Sequence, residues 1–453
     1  MMYQPKISII GAGYVGLCTA AGLASKGYHV IAIEVDPQKA QKINQGIPPF
    51  HEPGLEEKLK TSIQNGNLQC LTSNQAENAI QNTDITFMTV GTPSKHDGSI
   101  DLTYIQEASR DIGKALKQKN SYHVIVVKST VVPGTTQNTV KPILEAQSNK
   151  TCGNDFGLCM NPEFLRQGSA FQDTINADRV VIGAYDKQSG DTLENLYQTF
   201  FNQNRPPIIR TTLSTAELIK YASNAMLATK ISFINTIANM CEKLPGADVT
   251  TVAKAMGLDK RIGPLFLDAG LGYGGSCFPK DIKALIACSK SLGYKPEILD
   301  AVENLNHNQP LKAVQLCEKL IGSLNQKRIA ILGLAFKPDT DDMREARAIP
   351  IINQLIKLQA NIVVYDPVAI PIAQTIFKNQ IQYAPSALDC LKNADCAILI
   401  TEWPEFKTLQ PQDFIQNMKT PALVDGRRLY DPQIFNTKLK FSAIGLGTTT
   451  SDV

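Results

Sequence analysis

The stretch Gly270-Leu271-Gly272-Tyr273-Gly274-Gly275-Ser276-Cys277-Phe278-Pro279-Lys280-Asp281 is the most unusual part of the chain. Its glycines let backbone approach a ligand closely, and Pro279 suits the first turn of a helix running on through Ile282 and Leu285. A thiol at a helix start has its thiolate stabilised by the dipole, and Lys280 adds positive charge nearby. Cys277 is therefore a candidate nucleophile, with Asp281 on the same helical face; an inert buried thiol is the plain alternative. Lys220 and Asn224, one helical turn apart on an otherwise apolar pattern, also face the same way, although a solvated stripe would look similar. Asn161-Pro162-Glu163-Phe164-Leu165 places a carboxylate after a strand.

Gly11-Ala12-Gly13-Tyr14-Val15-Gly16 follows a strand and opens a helix, which puts helix amides and the positive dipole end where a pyrophosphate sits. The next strand ends in Glu34, about 20 residues on, where a carboxylate can accept hydrogen bonds from ribose hydroxyls. The same carboxylate repels a 2′-phosphate, so the expected cofactor is NAD rather than NADP. A kinase-type phosphate loop is excluded, because Leu17 and Cys18 stand where Lys and Ser or Thr are required. Val90-Gly91-Thr92-Pro93 and Lys128-Ser129-Thr130 follow later strands of the same sheet. Phe336-Lys337-Pro338, Asp341-Asp342-Met343-Arg344 and Asp425-Gly426-Arg427-Arg428 place cations after strands or turns of a second sheet, as a phosphate ligand needs, with surface charge as the alternative.

The elements that must position these groups read as α/β. Strands are expected at Lys6–Ile10, Val30–Val35, Ile85–Val90, His123–Lys128, Gly157–Met160 and Arg179–Ile182, alternating with helices as in a parallel sheet whose chemistry gathers at its carboxyl edge. From Leu213 to about Leu244 runs a long helical pattern stopped by Pro245 and Gly246. A second strand-and-helix series starts at Arg328 and repeats the opening: Lys6–Gly11, Val35-Asp36-Pro37 and Asp84–Thr92 match Arg328–Gly333, Tyr365-Asp366-Pro367 and Asp395–Thr401. The expected architecture is two doubly wound, Rossmann-like parallel-sheet domains joined by a long central helix: residues 1–210 binding a dinucleotide, 211–320 carrying the helix and the cysteine loop, and 321–453. The small, polar tail Gly445–Val453 is expected to be mobile.

Composition sets the remaining limits. The 453 residues, 43% hydrophobic and 19% charged, are ordinary for a globular protein and suffice for about three domains. A net charge of +3, without a basic tail, gives no reason to expect nucleic acid as a partner. Ten cysteines with no C-x-x-C spacing predict reduced thiols in the cytoplasm and no zinc site. Neither a signal peptide nor a membrane-spanning stretch is expected.

Together these motifs resemble the UDP-glucose 6-dehydrogenase family from Lys6 to about Pro432: GAGYVGL from Gly11, VGTP from Val90, KSTVVPGT from Lys128, NPEFLRQG from Asn161, AELIKYASNAMLATKISFIN from Ala216, GLGYGGSCFPKD from Gly270 and FKPDTDDMR from Phe336. The resemblance implies an amino-terminal NAD domain, a central helix used in dimer packing, a carboxyl-terminal domain that binds UDP, and oxidation of the sugar C6 alcohol to a carboxylate with two NAD consumed. It implies that Cys277 forms a thiohemiacetal and then a thioester, that Lys220 and Asn224 stabilise the oxyanion, and that Asp281, Glu163 and Thr130 position and activate water. The implied cofactor contacts are Gly11, Gly13, Tyr14, Val15, Gly16, Glu34, Lys39, Thr92, Thr130, Lys280 and Arg344. For UDP-glucose they are Glu163, Phe164, Leu165, Lys220, Asn224, Phe266, Gly272, Gly274, Lys337 and one of Arg427 and Arg428, with Arg261 reaching across a dimer interface.

Two positions depart from the family pattern: Gln167 where Glu is common, and Thr236 where Glu is usual. Three other functions compete: a dehydrogenase of another nucleotide sugar (GDP-mannose or a UDP-N-acetylhexosamine), a non-catalytic nucleotide-sugar sensor, and a two-electron hydroxyacid dehydrogenase. The last leaves Cys277 and the second domain idle.

Overall fold

A computed structural model describes residues 4–448. The chain forms two compact units, residues 1–223 and 224–453. The first unit is built on eight strands: β1 (Ile7–Ile10), β2 (Val30–Glu34), β3 (Leu68–Thr72), β4 (Ile85–Met88), β5 (Val124–Val127), β6 (Gly157–Met160), β7 (Val180–Ala184) and β8 (Ile208–Thr211). They lie in the order β3-β2-β1-β4-β5-β6-β7-β8. Successive residues of a strand serve opposite faces. Thus Val124 and Val126 enter one core with Ile7, Ile9 and Phe87, while Ile125 and Val127 enter the other with Met88 and Leu158. Burial on both faces explains why the central strands read as unbroken apolar runs.

The sheet departs from the expected one in two ways. β3 and β8 are additional edge strands, with polar and exposed positions that weaken their apolar signal. β7 runs antiparallel to β6. The link between them holds only the six-residue helix Ala170–Ile175, too short to return the chain along the sheet as a parallel crossover requires. β7 therefore starts at the edge where β6 ends, and brings Arg179 there.

The second unit contains β9 (Arg328–Leu332), β10 (Asn361–Tyr365), β11 (Gln382–Tyr383), β12 (Cys396–Leu399), β13 (Ala422–Asp425) and β14 (Lys440–Ala443) in the order β11-β10-β9-β12-β13-β14. All neighbours are parallel, and the order repeats that of the first six strands of the chain. The match extends to single residues. Gly11 and Gly333 both have φ of +95° and donate their amides to Ile33 O and Tyr365 O. The shared Asp-Pro pairs Asp366 with Asp36 in the sequence, but strand register puts it opposite Glu34. The second unit is two residues shorter at this corner, so one carboxylate does two jobs. Asp366 Oδ1 accepts the Val368 and Ala369 amides, as Asp36 Oδ1 accepts those of Gln38 and Lys39. Asp366 Oδ2 accepts Leu334 N, Ala335 N and Trp403 Nε1, whereas Glu34 Oε2 accepts Ala12 N.

The long helix spans Leu213–Cys241. Leu213 and Ala216 join the first unit's core, whereas Ala225 and Ala228 pack with Tyr273 and Ile282, and Ile234, Ala238 and Cys241 with the core of the second. The tail differs from expectation over its described part. Gly445 N–H donates to Glu242 Oε1, and Gly447 N–H to Ala247 O, which fixes Gly445–Thr448; residues 449–453 lie outside the described residues. Among the described residues no helix is long and apolar enough to cross a membrane, and no cluster suits a metal ion.

Beneath the first sheet, His123 is fully buried, with Nδ1 donating to Thr83 O at 3.0 Å and Nε2 accepting from Thr86 Oγ1 at 2.7 Å. This tautomer is neutral, and burial, reinforced by the Lys119 charge, pushes the ring from 6.5 down to about 3. Between these values the unfolded chain binds a proton that the folded chain refuses, so acidification through that window removes stability, by up to about 1.4 kcal/mol per pH unit. The thermal midpoint of the wild type is expected to fall more steeply between pH 6 and 4.5 than that of His123→Gln, measured by scanning calorimetry; parallel slopes would count against it.

Candidate active site

In the first unit, the glycine turn is built for an anion. Gly13 caps the helix Tyr14–Ser25 with no side-chain bond to its free amides, and among the described residues nothing beyond its chain neighbours and its own helix lies within 4 Å of where a Gly13 Cβ would stand. Gly16 is glycine for packing, since a Cβ there would lie 2.6 Å from Thr89 Oγ1. Glu34 ends β2 and is buried, Oε1 accepting from Asp36 N and Oε2 from Ala12 N, which leaves further lone pairs for a ribose. These residues fit NAD: an uncapped helix start for the pyrophosphate and a carboxylate for the adenosine ribose. Tyr14 stacks on Phe50 and donates to Glu52, Val15 is half-buried beside it, and Lys39 is exposed on the next helix.

Farther along the same edge, Thr92 Oγ1 donates to Thr130 O at 2.9 Å, joining the loops after β4 and β5. The loop after β6 carries Glu163, whose Oε1 is 2.9 Å from Lys220 Nζ while Oε2 accepts the Leu165 amide. Both charged groups are buried. Burial works to raise the Glu163 carboxyl, but Lys220, the Leu165 amide and Lys128 outweigh it and hold it below the usual range. Phe164 lies under the guanidinium of Arg179 at 3.8 Å and near Lys220 Nζ at 5.6 Å. Lys128 donates to Asn161 Oδ1, and burial pushes its ammonium down to about 8 against the pull of Glu163.

In the second unit, Cys277 caps the helix Phe278–Ser291 and is exposed; Pro279 sits in the first turn. The Asp281 amide donates to Cys277 O, so the thiol and the carboxylate share one turn. Asp281 is buried, with Oδ2 accepting from Asn224 Nδ2 and Oδ1 bonded to Lys280 Nζ, each at 2.6 Å. Lys280 is thus committed to a carboxylate. Arg344 is bound to Asp342 through Nε and Nη2, one edge of its guanidinium, and that carboxylate holds it firmly charged. The glycine loop was expected to open space for a ligand, yet much of that space is filled by the chain itself. A Cβ on Gly272 would meet Asn306 Oδ1 at 2.5 Å, and one on Gly275 the Phe336 ring at 2.8 Å, while Gly274 lies against the Glu345 carbonyl.

The remaining cations divide clearly. Arg427 bonds Ile400 O and reaches Gly272 O, so it touches the glycine loop; Arg428 is tied to Asp248 at 2.7 Å and to Ile444 O. Lys337 Nζ lies 5.8 Å from the Phe336 ring centre. Arg261 is highly exposed and paired with Asp259. Phe266 has φ of +65°, a strained value for an aromatic residue, of the kind that clusters at functional sites. Of the departures, Thr236 Oγ1 donates to Ser232 O within its own helix. Sequence reasoning singled out neither Arg179 nor Glu217, whose carboxylate binds the turn after β5; Arg179 needed the antiparallel β7 to reach this edge.

Comparison with known proteins agrees. Models of the UDP-glucose/GDP-mannose dehydrogenase family match its NAD binding domain at residues 5–201, its central domain at 214–308 and its UDP binding domain at 330–432. A UDP-glucose 6-dehydrogenase of Haloferax volcanii is 43% identical over 94% of this chain and 97% of its own. The structure of a UDP-glucose dehydrogenase from Pyrobaculum islandicum is 37% identical, with a TM-score of 0.90 over 98% of both chains. That of a UDP-D-ManNAc dehydrogenase from Pyrococcus horikoshii has a TM-score of 0.86 over 97% of this chain and 99% of its own, but 24% identity, a likeness of fold alone.

Removing one partner of a buried ion pair strands the other charge, at a cost of about 3–5 kcal/mol. Lys220→Met is therefore expected to destabilise the protein by that order in urea unfolding, and Lys220→Met with Glu163→Gln to recover most of it. Equal losses in the two would show that the pair does not carry the effect.

Proposed function

The chain belongs to the UDP-glucose/GDP-mannose dehydrogenase family, and on that premise we propose that it oxidises UDP-glucose to UDP-glucuronate through a covalent adduct on Cys277. The observation that carries the choice of sugar is 43% identity to a named UDP-glucose 6-dehydrogenase over nearly the whole of both chains, against 24% for the N-acetylated sugar enzyme. The first unit holds NAD, which accepts hydride when bound.

The alcohol at C6 gives up a hydride and a proton to become an aldehyde. The Cys277 thiolate adds to that carbon, and its oxygen takes a proton to complete a thiohemiacetal. Loss of a second hydride and proton leaves a thioester, and water cleaves it to the carboxylate and the free thiol. Lys220 and Asn224 donate to the C6 oxygen while it is negative, the kind of fixed donor site where catalysis gains most. Glu163 and Asp281 are the proton acceptors, and Thr130 orients the water. Lys337, Phe266, Gly272, Gly274 and Arg427 hold the UDP-sugar; Arg427 is preferred to Arg428 because it touches the glycine loop, whereas Arg428 is committed to Asp248.

A homodimer is part of this reading. Leu218, Met226, Phe233 and Met240 recur at near-heptad spacing along the long helix and are 46%, 59%, 49% and 55% exposed, a stripe suited to a second copy. Arg261 would then serve a neighbouring subunit. Nine of the ten cysteines are buried or half-buried, a placement that fits the cytoplasm.

Wild-type protein is expected to yield two NADH per UDP-glucuronate with no free aldehyde, measured by absorbance and product analysis. Cys277→Ser should still bind UDP-glucose and NAD but turn over more slowly by several powers of ten, since an alcohol is the weaker nucleophile and leaving group. One NADH per product, or near-normal turnover of the serine variant, would remove Cys277 from the chemistry. Light scattering is expected to give a dimer or larger; a fully active monomer would refute the assembly.

A further inference from the structure

Glu217 is completely buried near the start of the long helix. Its carboxylate spans two amides of a single turn: Gly134 N–H donates to Oε2 at 2.5 Å and Thr136 N–H to Oε1 at 2.7 Å. Burial pushes the carboxyl up to about 7, with Thr136 and Gly134 opposing the rise. A buried carboxylate is costly unless its donors repay the lost water, so a group of this kind exists to hold those donors.

The turn it holds leaves β5 through Lys128, Ser129 and Thr130 and enters the π-helical stretch Thr136–Val140. Its near end is already fixed: Ser129 Oγ donates to Val90 O at 2.7 Å, and Thr92 Oγ1 to Thr130 O. Only Val131, Val132 and Pro133 separate Thr130 from the Glu217 clamp, and Thr135 closes back on Val132 O through both its amide and its hydroxyl. One turn farther along the same helix, Lys220 binds Glu163 of the loop after β6. Successive turns of one rigid element thus grip two neighbouring loops of the first unit.

We propose that Glu217 is a positioning residue for Thr130, fixing the far end of the turn that presents its hydroxyl. The proposal rests on the reading of Thr130 as part of the reaction site. A helix cap that serves stability alone is the competing account, and it predicts independent effects, whereas a positioning residue acts through the group it positions.

The test is a double-mutant cycle with amide exchange. Glu217→Gln keeps the shape but sets an NH2 against one backbone donor. It is expected to lower kcat for UDP-glucose oxidation about tenfold, the equivalent of about 1.4 kcal/mol, with less than a twofold change in the KM for NAD. In a Thr130→Ala background the same change should alter kcat less than twofold. Full-sized losses in both backgrounds, or no loss in either, overturn the proposal. Glu217→Asp, which keeps the charge but shortens the reach, serves if the glutamine variant does not fold, and is held to the same non-additivity. Hydrogen–deuterium exchange should show the Gly134 and Thr136 amides faster in the variant; unchanged exchange overturns the clamp whatever the substrate. If the wild type makes no NADH from UDP-glucose, the functional reading fails and the exchange result still judges the clamp.

Discussion

A carboxylate taken out of water must be answered by hydrogen-bond donors, and both units turn this requirement into a way of fixing loops. Glu34, Glu163 and Glu217 accept amides from the loops after β1, β6 and β5, respectively. Asp366 holds the turn after β9, and Asp425 the turn after β13 through Arg427 N and Tyr430 N. In Asp281 the donors are side chains, Asn224 and Lys280. Each of these carboxylates sets the position of a segment on which the proposed chemistry or nucleotide binding depends. The constraint is strong because the failure is expensive: an unanswered buried charge costs more than most single packing defects.

Parallel topology supplies the other half. When every crossover returns the chain to the same edge, loops far apart in sequence become neighbours, as the loops after β4 and β5 do through Thr92 and Thr130. The antiparallel β7 adds the start of a strand to an edge otherwise made of strand ends, and thereby places the Arg179 cation on Phe164.

Much of this was legible in the sequence, for identifiable reasons. The central strands were plain because burial on both faces makes them continuously apolar, and the repeated Gly and Asp-Pro signals announced the second sheet. β3 and β8 escaped because edge strands carry polar residues, and β7's direction escaped because it depends on how far a six-residue helix can carry the chain. Side-chain chemistry was visible, but its partners were not. Lys280 read as positive charge beside Cys277, and it is bonded to Asp281, while Arg344 is bonded to Asp342. The glycines of the cysteine loop read as room for a ligand, and several instead admit the chain's own Asn306 and Phe336. Nothing in the spacing distinguished Arg427 from Arg428, whose partners differ: Arg427 reaches Gly272 O and Glu402, and Arg428 binds Asp248.

The two units resolve one corner differently. In the first, Glu34 and Asp36 share the work of holding the glycine turn and capping the next helix; in the second, Asp366 does both and takes five donors. The helix that follows Gly11 at once begins, in the second unit, only at Ala348. A carboxylate so fully subscribed has nothing left to offer a ribose, and a turn with no helix behind it has no dipole for a pyrophosphate. Among the described residues, the second sheet therefore lacks at this corner both features that suit the first to a dinucleotide. If the proposed reaction removes two hydrides from one carbon at the first unit's turn, each catalytic cycle is a relay with a changeover in the middle, and the residence time of the half-finished sugar must outlast the changeover.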